Sequence, residues 1–353
     1  MPAKGASTST ATPDVAVIGG GVIGLSVAWR AAQRGARVTV FDRGALGAGA
    51  SRVAAGMLAP VTEAEAGEPE LLRAGLESAR RWHAFAQELE LGDAYRTCGT
   101  LVVARDADEA EALDREHALR ERLGVPVDRL RGSQARKLEP SLAPGLRAAL
   151  DVPEDHAVDP RALITALVTA CERAGVVLRP NTEILDPLAG RTVIATGAWA
   201  GAPVRPVKGQ ILRLRDPEGP GLIDRVIRHE RFYLVPRGDG RYALGATMEE
   251  RGFDTTVTAG GVRELLQEAQ LLVPGLDDLI LEECAAGLRP GTPDNAPVIG
   301  AREDGAILAA GHHRNGILLA PLTADAVAAL LAGDAMPDEA QPFTPARFAE
   351  ART

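Results

Sequence analysis

Three glycines constrain this chain more than any other feature. Gly19, Gly21 and Gly24 form G-x-G-x-x-G directly after the apolar run 14–18 (DVAVI) and directly before LSVAWRAAQRG. The order predicts a buried strand, a tight turn and a helix that ends at Gly35. A second strand, ARVTVFD (36–42), completes a βαβ unit. In such a unit the first glycine permits the turn, the second lets backbone approach a pyrophosphate, and the third packs helix on strand. The helix N-terminus offers free N–H groups to the phosphates. Asp42 closes the second strand, where a carboxylate accepts hydrogen bonds from ribose hydroxyls. Without a ligand the same residues make only a tight turn. The motif does not separate a nicotinamide from a flavin. A second small-residue element, ASRVAAGMLAP (50–60), follows almost at once. It either lies against a planar ring system or simply packs on the sheet.

The remaining sequence fills in the frame. A chain of 353 residues is long enough for about two domains. The runs 191–197 and 305–311 read as further buried strands, and 70–91 and 106–123 as charged helices. Between them, 207–215, 227–236 and 241–247 alternate like antiparallel strands, with PRGDGRYALGA as a hairpin. The expected fold class is α/β: a Rossmann-like dinucleotide domain with a parallel sheet, interleaved with an α+β substrate domain built on an antiparallel sheet. The expected segments are 14–80, 151–203 and 286–333 for the first domain, 81–150 and 204–285 for the second, and tails at 1–13 and 334–353. A net charge of −9 argues against nucleic acid as a partner. Cys98, Cys171 and Cys284 are too few and too scattered for a disulfide framework. No secretory signal and no run of ~18 apolar residues is visible, so the expected location is cytoplasmic, with no membrane contact.

Several segments recur together in one known group: the N-terminal unit, ASRVAAGML, ATGAWAG (195–201), VPRGDGRYALGATME (235–249), AGLRPGTPDNAPVIG (286–300) and AGHHRNGILLAP (310–321). With them, the chain over residues 14–332 resembles the glycine oxidases of the D-amino-acid-oxidase-like FAD flavoenzymes, the type linked to thiamine thiazole synthesis. The resemblance implies FAD along Gly19, Gly21, Val22, Ile23 and Gly24, with its ribose near Asp42 and Arg43. It implies Ala50 and Ser51 at the pyrophosphate, Ala55, Gly56 and Met57 at the flavin ring, and Ile184 at the adenine. His312, His313, Arg314, Asn315, Gly316, Ile317 and Leu318 would wrap the flavin's pyrimidine edge. Arg289 would hold the substrate carboxylate, since guanidinium grips a carboxylate at two points. Arg314, Tyr233 and Met248 would complete the substrate pocket. Arg231 stands where the compared relative has histidine, and Asp42 is a methylene shorter than the glutamate common in FAD enzymes. Cysteine is absent from 305–321, which points to non-covalent FAD.

The activity so implied is oxidation of glycine or another small amine or D-amino acid. A hydride passes to the flavin, O2 reoxidises it to give H2O2, and the imine hydrolyses to an oxo acid (glyoxylate from glycine) and ammonia. No residue of the matched set is assigned as a catalytic acid or base. The resemblance also implies a homo-oligomer and a functional link to thiazole synthase. The alternative is a D-amino acid or sarcosine dehydrogenase of the same fold that passes electrons to another acceptor. A metal is not expected: His312 and His313 adjoin, but no carboxylate or cysteine is spaced to join them. Glu63 and Glu65 lie just behind the flavin element, as part of a lid or as a solvent-facing loop.

Overall fold

The computed structural model describes residues 14–65, 67–185 and 191–348; the expected tail 1–13 lies outside the described residues. The chain runs β1 (Val15–Ile18), α1 (Val22–Gln33), β2 (Val38–Phe41), α2 (Ala50–Val53), β3 (Met57–Leu58), α3 (Pro69–Glu88), β4 (Tyr95–Arg96), β5 (Thr100–Ala104) and α4 (Ala107–Arg122). It continues through β6 (Asp128–Arg131), α5 (Gly132–Leu138), β7 (Ala148–Val152), β8 (His156–Val158), α6 (Pro160–Arg173), β9 (Val177–Arg179) and β10 (Arg191–Ile194). Then come β11 (Arg205–Arg215), β12 (Val226–Arg228), β13 (Tyr233–Pro236), β14 (Arg241–Gly245), α7 (Ala259–Gln270), β15 (Ile280–Gly291), β16 (Val298–Ala301), β17 (Ile307–Ala310) and α8 (Ala320–Ala332).

The strands form a six-stranded sheet in the order β16-β17-β10-β1-β2-β9 and an eight-stranded sheet in the order β15-β11-β14-β13-β12-β5-β7-β6. The small strands β3, β8 and β4 make a third sheet. In the six-stranded sheet β1 pairs in parallel with both β2 and β10, so it is buried on both faces and reads as a continuous apolar run. Helix α1 is buried along nearly its whole circumference and packs on α8 and α6. Helix α3 buries only a stripe, Leu71, Leu72, Ala74, Gly75, Ser78, Trp82, Phe85 and Ala86, the i, i+3, i+4 spacing of an amphipathic helix. Asp159 caps α6 by accepting from Arg161 N–H at 2.9 Å, with Pro160 in the first turn. Among the described residues no helix is long and apolar enough to cross a membrane.

The α/β class and both sheet types are as expected from the sequence, with three local corrections. Residues 227–236 do not form one strand: β12 and β13 are antiparallel neighbours joined by a turn at 229–232. The segment boundaries expected at 80, 150 and 285 fall inside α3, β7 and β15. Each of these elements is held whole by its neighbours. Ser78 Oγ and Trp82 Nε1 both donate to the Leu318 carbonyl, β7 pairs with β5 along its length, and β15 pairs with β11 from end to end. The C-terminal segment is no loose tail over 338–348. Ala340 and Phe343 are buried, and Arg347 donates to Asp294 at 2.8 Å and to the Ala296 carbonyl at 3.0 Å.

Candidate active site

A cavity of about 800 Å³ is lined by residues at the carboxyl ends of β1, β2, β10 and β17 and by residues of β11, β13 and β15. One end is the glycine-rich turn. Gly19 has φ of +111°, and a Cβ there would lie 2.3 Å from the Ala195 carbonyl oxygen. A Cβ on Gly24 would lie 1.8 Å from the Gly19 oxygen, so no side chain fits either position. Gly21 differs: the nearest atom to its Cβ would be Ser51 Oγ at 3.2 Å, and its open side is the cavity. Asp42 accepts from Gly20 N–H at 2.7 Å and Gly44 N–H at 2.8 Å, which fixes its carboxylate beside the turn. Ser51 Oγ accepts from Val22 N–H at 3.0 Å, leaving its own O–H to donate into the cavity.

Val22, Ile23, Arg43, Ala50, Ala55, Gly56, Met57, Ile184, His312, His313, Asn315, Gly316 and Ile317 also line the cavity. Two of the expected cofactor residues do not. Gly24 packs α1 on β1, and Leu318 is buried with its carbonyl turned to α3. Arg43 lies over the Trp199 ring at 4.0 Å, with Trp199 in turn stacked on Phe253. Segment 52–55 is held from below by two arginines, the half-buried Arg213 and the buried Arg237. Arg213 donates to the Val53 and Ala54 carbonyls at 3.0 Å, and Arg237 to Ala55 O at 2.7 Å and Val158 O at 3.0 Å. Burial pulls Arg237 down to about 10. These two arginines escape sequence reading because their partners are carbonyls some 160 and 180 residues away in the chain.

The four expected substrate residues all line the cavity, but in different states. Arg289 donates to Thr247 O at 3.1 Å and Lys208 O at 3.4 Å, and among the described residues no carboxylate pairs with it. Tyr233 stands nearby; burial lifts its phenol above the ordinary range, with the Arg289 charge opposing. Met248 sits at the rim, 64% exposed, and walls no interior. Arg314 is committed elsewhere: its Nε donates to Glu63 at 2.7 Å and its Nη2 to Glu65. Burial would depress Arg314, but Glu63 and Glu65 outweigh it and hold the guanidinium above its usual range. Glu63 also pairs with Arg228, and Arg231 pairs with Glu230 and Glu268. Glu63 is thus a half-buried brace between two arginines, its side chain turned away from solvent.

Burial holds two of the cavity's histidines, His312 and His313, toward the neutral form. Burial drops His312, which bonds Thr323 Oγ at 3.0 Å, to about 3, and drops His313 to about 4. His313 Nδ1 is buried with no protein partner among the described residues, an orphan that a bound group would satisfy. The folded value of His312 lies below its free value of 6.5, so its contribution to stability is full above pH 6.5 and is lost as pH falls toward 3. His312→Gln keeps a polar partner for Thr323. Its Tm is expected to fall less steeply than that of the parent between pH 6.5 and 4, by several degrees at the acid end; equal slopes in melting curves would show that His312 does not titrate in this way.

Residues 14–330 match the family described as FAD dependent oxidoreductase. The chain belongs to this family. Its cofactor is FAD, and the cavity fits it: a space of about 800 Å³ with no side chain at Gly21, an acid at the end of β2, small residues at 54–56 and an orphaned buried nitrogen. The chain is 36% identical to a glycine oxidase of Geobacillus kaustophilus, over 90% of this chain and 92% of that protein. The crystal structure of a glycine oxidase from that organism superposes with a TM-score of 0.88 at 35% identity, covering 94% of this chain and 98% of that one. A bifunctional protein ThiO/ThiG of Trichormus variabilis is 37% identical over 90% of this chain and 52% of its own length. A putative thiamine biosynthesis oxidoreductase ThiO of Rhizobium etli is 36% identical over 89% and 95%. Among the described residues no three histidines, cysteines or acids converge as a metal site.

Proposed function

We propose that this protein oxidises glycine, or another small amine or D-amino acid, with O2 as the electron acceptor, and that the product serves thiazole formation in thiamine synthesis. The observation that carries the reading is Arg289: a half-buried cation in the cavity wall whose partners are carbonyl oxygens and the Tyr233 phenol, while Arg228, Arg231 and Arg314 are already paired with carboxylates. An unpaired guanidinium in such a wall is an anion seat, and an amino acid brings a carboxylate. FAD, when bound, supplies the two-electron acceptor. The chain's own residues bind and orient. Arg289 fixes the carboxylate, Tyr233 closes one side of the pocket, and the Glu63 brace holds Arg314 and Arg228 at another. Similarity to the ThiO/ThiG and thiamine biosynthesis relatives supports the product's fate and a working link to a thiazole synthase. The six-stranded sheet with α1, α3, α6 and α8 is read as the FAD domain, and the eight-stranded sheet with α4, α5 and α7 as the substrate domain. A homo-oligomer in the cytoplasm is the proposed state.

Anaerobic addition of glycine, sarcosine and D-alanine to the yellow protein tests the reaction. At least one should bleach the flavin band and, on admission of air, yield one peroxide per turnover; bleaching without peroxide would assign another acceptor, and no bleaching by any would reject amine oxidation. The cofactor is proposed to be non-covalent, because none of the three cysteines lines the cavity. Acid precipitation is therefore expected to leave FAD in the supernatant; yellow colour retained in the washed pellet would show a tether.

A further inference from the structure

One face of the eight-stranded sheet forms a wall of the cavity, and its surface is unusual in having glycines where strands carry side chains. In the β11–β15 pairing, Gly209 stands opposite Gly287, and Val207 stands opposite Arg289. Arg289 and Gly209 are therefore diagonal neighbours on one face, within reach of a long side chain. A Cβ built on Gly209 would lie 2.3 Å from Arg289 Nη1 and 2.6 Å from both Cζ and Nη2. Gly209 has no left-handed backbone, so the strand itself does not demand glycine there. What occupies the place of its side chain is the guanidinium.

The structure assigns Gly209 as a positioning residue: its missing side chain is the seat that lets Arg289 lie across β11 and present its fork to the substrate carboxylate. This rests on the reading of Arg289 as the carboxylate anchor. With a methyl group at 209 the guanidinium must leave its bonds to Lys208 O and Thr247 O and stand elsewhere. The charge stays in the pocket but its direction is lost. The three nearest atoms to the new Cβ all belong to the end of one flexible side chain. Folding is therefore spared, and glycine-to-alanine at an ordinary strand position stiffens the unfolded chain in favour of the fold.

The test compares FAD-loaded parent, Gly209→Ala, Arg289→Ala and the double variant. The readouts are Tm, FAD content, KM and kcat for the best amine, and the dissociation constant for acetate, followed by perturbation of the flavin spectrum. Gly209→Ala is expected to keep FAD and Tm, and to raise KM and the acetate constant roughly tenfold to a hundredfold, the worth of one charge-assisted hydrogen bond. In the Arg289→Ala background the same change is expected to add nothing, because no guanidinium remains to displace. Parent-like KM in Gly209→Ala, alongside weakened binding in Arg289→Ala, would overturn the seat and leave the anchor standing. Parent-like binding in Arg289→Ala would overturn the anchor and the seat with it. Additive losses in the double variant would place the effect in the sheet and overturn the proposal. If Gly209→Ala alone misfolds, a folded double variant still locates the clash at Arg289, whereas misfolding of both rejects it.

Discussion

Arg289→Lys is expected to load FAD as the parent does and to lose most of its activity. Lysine keeps the positive charge but presents one ammonium where arginine presents a planar fork, so a two-point grip on a carboxylate becomes a one-point contact. One charge-assisted hydrogen bond is worth ~1.5–3 kcal/mol, which is roughly tenfold to a hundredfold in kcat/KM. Poorer aim of the substrate Cα–H adds to that loss through kcat. Arg263→Lys on the exposed face of α7 serves as the control and should behave as the parent. Arg347, near the C-terminus, would be a poor control because it holds Asp294. Steady-state peroxide assays with glycine, sarcosine and D-alanine decide the matter. Undiminished kcat/KM for all three would move the anchor elsewhere, and the paired states of Arg314 and Arg231 make neither a ready substitute.

Gly21→Val should give a folded protein without cofactor. Gly21 precedes α1 with extended backbone, φ −79° and ψ −176°, which valine tolerates. Its side chain would project beside Ser51 Oγ into the space where a pyrophosphate must approach the backbone. The expected result is a parent-like circular dichroism spectrum, no visible absorbance, and no uptake of added FAD at concentrations that saturate the parent. Normal FAD content in a folded Gly21→Val protein would place the phosphate site elsewhere. The neighbouring glycines predict a different failure: at 19 and 24 any side chain strikes backbone, so alanine there should cost the fold itself.

Local features were legible in the sequence wherever the physics is local. The β1-α1-β2 unit follows from a β-branched run, a glycine spacing and a helix stop that all lie within thirty residues. The expected site residues converge on one cavity, apart from Gly24 and Leu318, because the motifs that carry them are themselves contiguous. What the sequence hides is cross-chain geometry. Gly209 looks like any strand glycine until β15 is laid beside β11 and Arg289 is seen to fill its place. Arg314 looks free until Glu63 and Glu65, some 250 residues earlier, are found against it. The break at 229–232 is masked by apolar residues on both sides, Ile227 and Leu234, which are buried in the same core cluster.

The six-stranded sheet interleaves early and late chain: β1 lies between β2 and β10, and β10 lies between β1 and β17. On a ribosome adding ~5–20 residues per second, β1 waits on the order of ten seconds or more for β10 and longer still for β17. Until β9 and β10 emerge, the outer edges of β2 and β1 have no partner, and until residues 312–317 emerge the cavity lacks one wall. FAD capture is therefore a late event in biogenesis, after the chain has been made as far as residue 317. A cell short of the vitamin precursor of FAD would accumulate apoprotein that extends past residue 317 and not shorter intermediates, and chaperone demand would fall on the nascent segment that precedes β10.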